Sequence, residues 1–289
     1  MQSAIECWHE ILDARAKQMD AAYARLGRTS ADFWERRAKN YHRSTKENVT
    51  RDPLFLRLRQ VVTPDTTVLD VGAGTGRFAL ALAPYAQHIT AVEPNAVMLN
   101  YLKQDAIEEE RTNISALHTS WQDAPTNLSA DIVLCSHVLY PMWDVDTFVA
   151  NLRAATRKAC YIYMRAAHFD ASTSSLWKHF HGDERRPAPG YIHALDVLFE
   201  MGIYADVEIV HMPWVVRYSS LDVAVGELLE QLILPDDERT RSELRELLET
   251  WLIERDGVLV PPVDDQTSAI MRMLPKQTQK LKTSMEAAR

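Results

Sequence analysis

Short apolar runs and helical spacings of apolar residues alternate through the middle of the chain. Apolar runs near residues 66–71, 88–93, 113–118, 131–136 and 159–165 predict strands, and the stretches between them predict helices. A series of this kind forms a mostly parallel sheet with right-handed crossovers. We therefore predict an α/β fold, a Rossmann-like sheet with helices on both faces, whose ligands bind beyond the carboxyl ends of the strands.

The N-terminal segment, residues 1–52, predicts a helical cap. Apolar residues recur every seven positions along a helix predicted over residues 4–26, at Ile5, Leu12, Met19 and Leu26. Such a face either docks on the core of the same chain or forms a dimer seam, and both alternatives stay open. A second helix is predicted from Ser30 to about Lys46. The N-terminal helices, residues 168–190 and the helices predicted within residues 220–256 are expected to form a lid above the strand ends, with the N-terminal helices as its more mobile part.

The segments after residue 165 are predicted to add to the sheet domain, which we place at residues 53–275. Residues 166–190 are polar and predict a loop above the sheet. Residues 218–256 predict two added helices, the second of which is expected to end at Gly257.

Two shorter regions complete the prediction for the C-terminal part. Residues 257–263 and 267–273 predict a final hairpin. Residues 276–289 are interpreted as a polar tail.

Composition limits the class of protein. The chain has 289 residues, 46% of them hydrophobic, which suits a globular protein with a substantial core. No apolar run predicts a membrane span or a signal peptide, so a cytoplasmic protein is expected. A net charge of -8 argues against nucleic acid as a partner. Cys7, Cys135 and Cys160 lack paired spacing, which disfavours a disulfide framework and a zinc site.

A glycine-rich turn follows the first strand and indicates a ligand that contacts backbone. Gly72, Gly74 and Gly76 have G-x-G-x-G spacing, whereas a dinucleotide site needs G-x-G-x-x-G, so a nicotinamide oxidoreductase is the weaker reading. Asp70, two residues before the first glycine, would repel a pyrophosphate but attract an ammonium group. Glu93 ends the next strand, near the offset at which a carboxylate binds ribose hydroxyls.

Together these residues resemble the class I S-adenosylmethionine-dependent methyltransferases. The resemblance implies S-adenosylmethionine as cofactor, with its methionine part on the glycine turn, its ammonium near Asp70 and its ribose on Glu93. A turn after the third strand resembles the adenine site of the family, and the end of the fourth strand would lie beneath the sulfonium. The residues assigned to the cofactor are Tyr41, Asp70, Gly72, Ala73, Gly74, Gly76, Glu93, Pro94, Trp121, Gln122, Asp123, Ser136 and His137. Packing alone is the alternative for Trp121 and for His137.

The methyl acceptor is expected to bind near the ends of the fourth and fifth strands. The candidate residues there are Tyr140, Trp143, Arg165, His168 and Tyr191. The Asn/Asp-Pro-Pro-aromatic motif of nucleic-acid amino methyltransferases is missing, and the fifth strand lacks the carboxylate and amide ligands of metal-dependent catechol enzymes. We therefore expect no metal. Cys135 lies in an apolar strand and is interpreted as an inert thiol.

The predicted function is methyl transfer by direct displacement to a small-molecule acceptor, with no general base identified. Two alternatives stay open. One is a non-catalytic methyltransferase-like partner or regulatory subunit, and the other is a protein or RNA methyltransferase. A dimer through the N-terminal helix also stays open.

Overall fold

The computed structural model describes residues 2–29, 38, 42, 49–211, 216–262 and 267–275. Its main sheet has seven strands in the order β3-β2-β1-β4-β5-β9-β6. The strands are β1 Thr67–Val71, β2 His88–Glu93, β3 Ile114–His118, β4 Ala130–Ser136, β5 Thr156–Arg165, β6 Asp206–His211 and β9 Thr267–Met273. The first five run parallel and β9 lies antiparallel between β5 and β6. This order confirms the predicted α/β fold.

Helices cover both faces of the sheet. They are α1 Ala4–Arg25, α2 Pro53–Leu58, α3 Arg77–Leu82, α4 Ala96–Glu108, α5 Val145–Ala154, α6 Ser174–His181, α7 Tyr191–Glu200, α8 Leu221–Gln231 and α9 Glu238–Trp251. Short 3₁₀ helices span Val49–Arg51, Ala83–Tyr85 and Phe169–Thr173.

Alternation along β1 divides the core between the two faces. Leu69 and Val71 join the cluster formed with α1, α5 and α7, whereas Val68 joins the cluster formed with α2 and α3. Asp70 lies between Leu69 and Val71, so the pleat directs its carboxylate away from their cluster. It is 2% exposed. The strand pattern therefore buries a charged group within the sheet.

Helix α1 docks on the core of its own chain. Ser3 caps it through the amide of Glu6, and the Glu6 carboxylate accepts from the Ser3 amide in return. Trp8 is fully buried, and its indole N–H donates to the Met142 carbonyl at 2.8 Å. Docking was one of the two alternatives for the seven-residue repeat. Most of the second N-terminal helix, including Tyr41, falls outside the described residues.

Three predictions for the later segments are wrong. The 166–190 segment contains the helix α6, because Leu176 and Trp177 pack into a core cluster with Leu228. Gly257 does not end α9. It lies in the turn of a small hairpin formed by β7 Ile253–Arg255 and β8 Val258–Val260. The hairpin predicted between residues 257–263 and 267–273 does not form, because β9 pairs with β5 and β6 in the main sheet.

The added segments converge on one another. The end of α1 contributes Ala22 and Tyr23 to a cluster with α6, α8 and α9. The proposed division at residues 52 and 275 stays a prediction, as does the lid. Within the described part of the chain, no helix has both the length and the apolar character required to cross a membrane.

Candidate cofactor and acceptor site

The glycine turn closes tightly onto β2. The amides of Gly72 and Ala73 both donate to the Val92 carbonyl, at 2.8 and 3.0 Å. Gly72, Gly74 and Gly76 have φ values of 73, 58 and 87°, which L side chains adopt at a cost. A Cβ on Gly72 would also meet the Val138 side chain at 2.4 Å. The backbone conformation of the turn therefore favours glycine at these three positions.

Two buried carboxylates lie beside this turn. Glu93 accepts from the amides of Gly74 and Asn95, each at 2.8 Å, and is 6% exposed. Asp70 has a buried carboxylate oxygen, Oδ2, without a hydrogen-bond partner among the described residues. Burial and the neighbouring Glu93 raise the pKa of Asp70 to about 7. Burial also raises the pKa of Glu93.

This arrangement fits a cationic ligand. Two acidic groups held close together in a buried site favour neutral forms unless a positive charge compensates them. An ammonium and a sulfonium would supply that charge, and the unpartnered oxygen of Asp70 would accept from an ammonium. The residues at the ends of β1 and β2 therefore suit S-adenosylmethionine.

The remaining cofactor candidates occupy varied environments. Trp121 is 8% exposed, belongs to the core cluster and donates from its indole N–H to the Phe148 carbonyl at 3.4 Å. Gln122 and Asp123 are exposed, with Asp123 accepting from Ser120 Oγ at 2.6 Å. Pro94 is exposed and Ser136 is half-buried. Their assignments to the cofactor stay predictions.

A second set of polar side chains lies at the ends of β4 and β5. His137 follows β4 with a φ of 58°, a strained value for histidine. Its Nδ1 lies 3.0 Å from the Tyr140 hydroxyl, which accepts from the Arg165 amide at 2.8 Å. Burial, followed by Arg165, Arg77 and His168, holds the pKa of His137 well below its usual range. His137 is therefore neutral at neutral pH.

His168 joins this set through an aromatic contact. Its ring meets the Tyr140 ring edge-on, with centroids 5.0 Å apart. His168 Nδ1 lies 2.7 Å from Asp170 Oδ1. Asp170 Oδ2 is ion-paired with Arg15 and lies 3.0 Å from Arg185 Nη2. Although burial opposes ionisation, His168, Arg185 and Arg15 together hold the pKa of Asp170 below its usual range.

The structure places four of the five acceptor-site candidates near the ends of β4 and β5: Tyr140, His168, Tyr191 and the backbone of Arg165. Tyr140, Arg165 and His168 are connected as described. Trp143 instead stacks on His9 with centroids 4.1 Å apart and is 46% exposed. Tyr191 begins α7 directly after Gly190, where a Cβ would meet the Ala166 carbonyl oxygen at 2.2 Å. This close approach places Tyr191 near the end of β5.

Five charged residues of this region were missed by sequence reasoning: Arg15, Asp52, Arg77, Asp170 and Arg185. Asp52 is fully buried, caps α2 through the Leu54 amide and is ion-paired with Arg77. Asp170 had a signal, since it lies two residues after His168. No sequence signal identified the arginines, because the ion pairs that they form correspond to no motif.

Comparison with known proteins agrees with this geometry. Residues 68–159 match the family described as "Methyltransferase domain". An uncharacterised protein of Haemophilus influenzae is 27% identical over 187 residues, which are 59% of this chain and 66% of that protein. A protein of Methanosphaera stadtmanae named "Probable ribosomal RNA small subunit methyltransferase A" is 37% identical over 51 residues, which are 18% of this chain and 19% of that protein. The chain spans less than two thirds of the length of both relatives.

Solved structures share the fold. A candidate methyltransferase of Bacillus halodurans C-125 superimposes with a TM-score of 0.53 at 16% identity, covering 77% of this chain and 99% of that one. Magnesium protoporphyrin IX methyltransferase of Synechocystis PCC 6803, solved with bound SAH, gives a TM-score of 0.51 at 11% identity, covering 81% of this chain and 84% of that one.

Proposed function

We propose that this chain, which belongs to the class I S-adenosylmethionine-dependent methyltransferases, transfers the methyl group to a small-molecule acceptor. S-adenosylmethionine is its cofactor. One observation carries the choice of acceptor. The polar groups at the ends of β4 and β5 are interior side chains, with Tyr140 8% exposed and the His168 side chain 16% exposed. A molecule that enters whole reaches such groups more readily than a polymer does.

The chain's own residues supply binding, orientation and charge. S-adenosylmethionine, when bound, supplies an electrophilic methyl group on a positively charged sulfur. Asp70 would hold the ammonium and Glu93 the ribose hydroxyls, while the glycine turn admits the methionine part to the backbone. Holding two reactants in line contributes about 7 to 11 kcal/mol in well-oriented reactions. Adenine contacts from Trp121, Gln122 and Asp123 belong to the same proposal.

Tyr140 and Arg165, at the ends of β4 and β5, are proposed to orient the acceptor. The hydroxyl of Tyr140 is fixed by the Arg165 amide and by His137. This network leaves the residues little freedom to rearrange, so the acceptor would meet a preformed surface. The chain's charge of -8 also disfavours a polyanionic acceptor such as RNA.

Radiolabelled methyl transfer into a fractionated cell extract tests the proposal. The extract is separated into a metabolite fraction below about 1 kDa, a protein fraction and an RNA fraction. Each fraction is incubated with enzyme and methyl-labelled S-adenosylmethionine. We expect enzyme-dependent label in the metabolite fraction. Label confined to protein or RNA would overturn the acceptor class, and no label in any fraction would favour a non-catalytic partner.

A further inference from the structure

We propose that His168, oriented by Asp170, is the general base that removes a proton from the acceptor's nucleophilic atom. The inference rests on the proposed function and narrows it. An acceptor that needs a base arrives with a proton on its nucleophile, as a hydroxyl, phenol or protonated amine does. The substrate class is therefore a small molecule with such a group.

The hydrogen bond to Asp170 fixes which nitrogen of His168 is basic. Asp170 is ionised and accepts, so Nδ1 of His168 carries the proton that it donates over 2.7 Å. The lone pair of a neutral His168 then lies on Nε2. Nε2 has no hydrogen-bond partner within the described ranges. A free basic nitrogen at the carboxyl ends of the strands is available to an acceptor.

Asp170 is itself held in place from two sides. Arg15 reaches it from α1, and Arg185 reaches it from the segment between α6 and α7. The Arg185 side chain is 3% exposed and also donates to the Gln231 carbonyl at 3.0 Å. These contacts keep the carboxylate charged and fix its position. Asp170 is therefore a positioning residue that acts through His168.

His137 is the competing histidine, and its surroundings differ. Its Nδ1 is occupied by the Tyr140 hydroxyl, and its ring lies 4.7 Å from the Tyr163 ring. No carboxylate contacts its imidazole among the described side chains. A carboxylate partner would stabilise the imidazolium that forms on proton transfer, and of the two histidines His168 has one.

The proposed step conserves atoms and charge. The Nε2 lone pair of His168 takes the proton from the O–H or N–H of the acceptor, and the electron pair of that bond attacks the methyl carbon. The carbon–sulfur bond breaks and its electrons stay on sulfur, which becomes neutral. The positive charge passes to the His168 imidazolium, beside the Asp170 carboxylate. Solvent then removes the proton from His168.

Several charged groups face His168 and set its titration. Burial has the largest effect and lowers the pKa of His168, Asp170 raises this pKa, and Arg15 and Arg165 lower it, so that the pKa is lowered overall. Arg185 pairs with Oδ2 of Asp170, whereas His168 contacts Oδ1. His168 is thus neutral, and able to accept a proton, at neutral pH.

The first test compares His168→Gln with His179→Gln, an exposed histidine paired with Glu243. Single-turnover transfer of labelled methyl into the metabolite fraction is followed from about pH 5 to about pH 9, a range that includes the ordinary pKa of histidine. We expect a rate about 10²- to 10⁴-fold lower for His168→Gln and loss of the acidic limb of its pH profile. His179→Gln should match the wild type. Calorimetric titration with the demethylated cofactor should give the same affinity for all three proteins.

The second test measures the tautomer of His168 in the wild-type protein, and a variant serves only to assign the signal. Long-range ¹H–¹⁵N spectra of ¹⁵N-histidine protein report the tautomer of each ring, and His168→Gln identifies the His168 signal by its loss. A proton on Nδ1 of His168 at neutral pH is expected. A proton on Nε2 would overturn the inference. So would an unchanged rate and pH profile in His168→Gln, which leaves the proposed function standing. If the wild type labels no metabolite, both proposals fail.

Discussion

The carboxyl ends of β1 and β2 carry two buried carboxylates beside one glycine turn, whereas the ends of β4 and β5 carry two histidines and the carboxylate of Asp170, which Arg15 of α1 helps to hold. Glu93 bonds to amides of residues 74 and 95, close to it in sequence. Asp170 bonds to Arg15 and Arg185, and the contact with Arg15 spans 155 residues. The first half of the site is therefore built within residues 70–95, whereas the second half also needs α1 from the start of the chain.

The two halves also differ in charge. Asp70 and Glu93 are poorly compensated, which favours a cation beside them. In the second half, Asp170 is matched by Arg15 and Arg185. Binding of a cationic ligand would therefore stabilise the first half, whereas the ion pairs of the fold already stabilise the second half. This difference predicts which substitutions destabilise the apoprotein.

Asp170→Asn is expected to break the second half and to have the largest effect on stability. It leaves the guanidinium groups of Arg15 and Arg185 without their carboxylate in a buried site, which costs about 3 to 5 kcal/mol of unfolding free energy. Urea denaturation measures the loss. Asp236→Asn, which breaks an exposed and solvent-screened pair with Arg241, should cost far less. Equal losses in the two variants would contradict the account.

Asp70→Asn, in the first half, is expected to stabilise the apoprotein relative to the wild type as pH rises, because it removes an uncompensated charge. The raised pKa means that the wild-type apoprotein is favoured while Asp70 is protonated and loses stability as pH rises from about 4 through about 7. At about 1.4 kcal/mol per pKa unit, the loss approaches 4 kcal/mol.

The check is the difference in unfolding free energy between Asp70→Asn and wild type, measured across that pH window without cofactor. The difference should change in favour of the variant as pH rises. A difference that does not vary with pH would show that Asp70 is not buried as an uncompensated acid.

Gly72→Ala sharpens the comparison at the turn itself. Both Gly72 and Gly27 have positive φ, but only the Gly72 substitution meets a side chain, Val138, within 4 Å. Left-handed strain costs about 1 to 2 kcal/mol in each variant, and overpacking adds about 1 to 3 kcal/mol at Gly72. Thermal unfolding should therefore rank Gly72→Ala below Gly27→Ala. Equal melting temperatures would mean that the turn relaxes away from Val138.

The same contrast explains what sequence alone can predict. Asp70, the three glycines and Glu93 have fixed spacings along consecutive elements, so a motif locates them. The five parallel strands β1 to β5 also follow from the alternation of strands and helices along the chain. Arg15 could not be assigned, because nothing in a helix sequence specifies an ion pair with a residue far along the chain.

Packing decided the errors in the later part of the chain. The 166–190 segment reads as polar, yet Trp177 and Leu176 are buried because α8 offers them an apolar surface. The strand β9 reads as half of a local hairpin, yet it pairs with β5 and β6. Both outcomes depend on tertiary partners that local patterns do not contain.

Calorimetric titration with the demethylated cofactor tests the central claim most directly. Glu93→Gln removes the charged acceptor proposed for the ribose hydroxyls, whereas Glu208→Gln removes a carboxylate of β6 that pairs with Arg57. Losing a charged hydrogen bond costs about 1.5 to 3 kcal/mol, so Glu93→Gln should bind roughly 10- to 100-fold more weakly. Glu208→Gln should bind as the wild type does. If Glu93→Gln keeps the wild-type affinity while remaining folded, the ends of β1 and β2 do not hold the ribose as proposed.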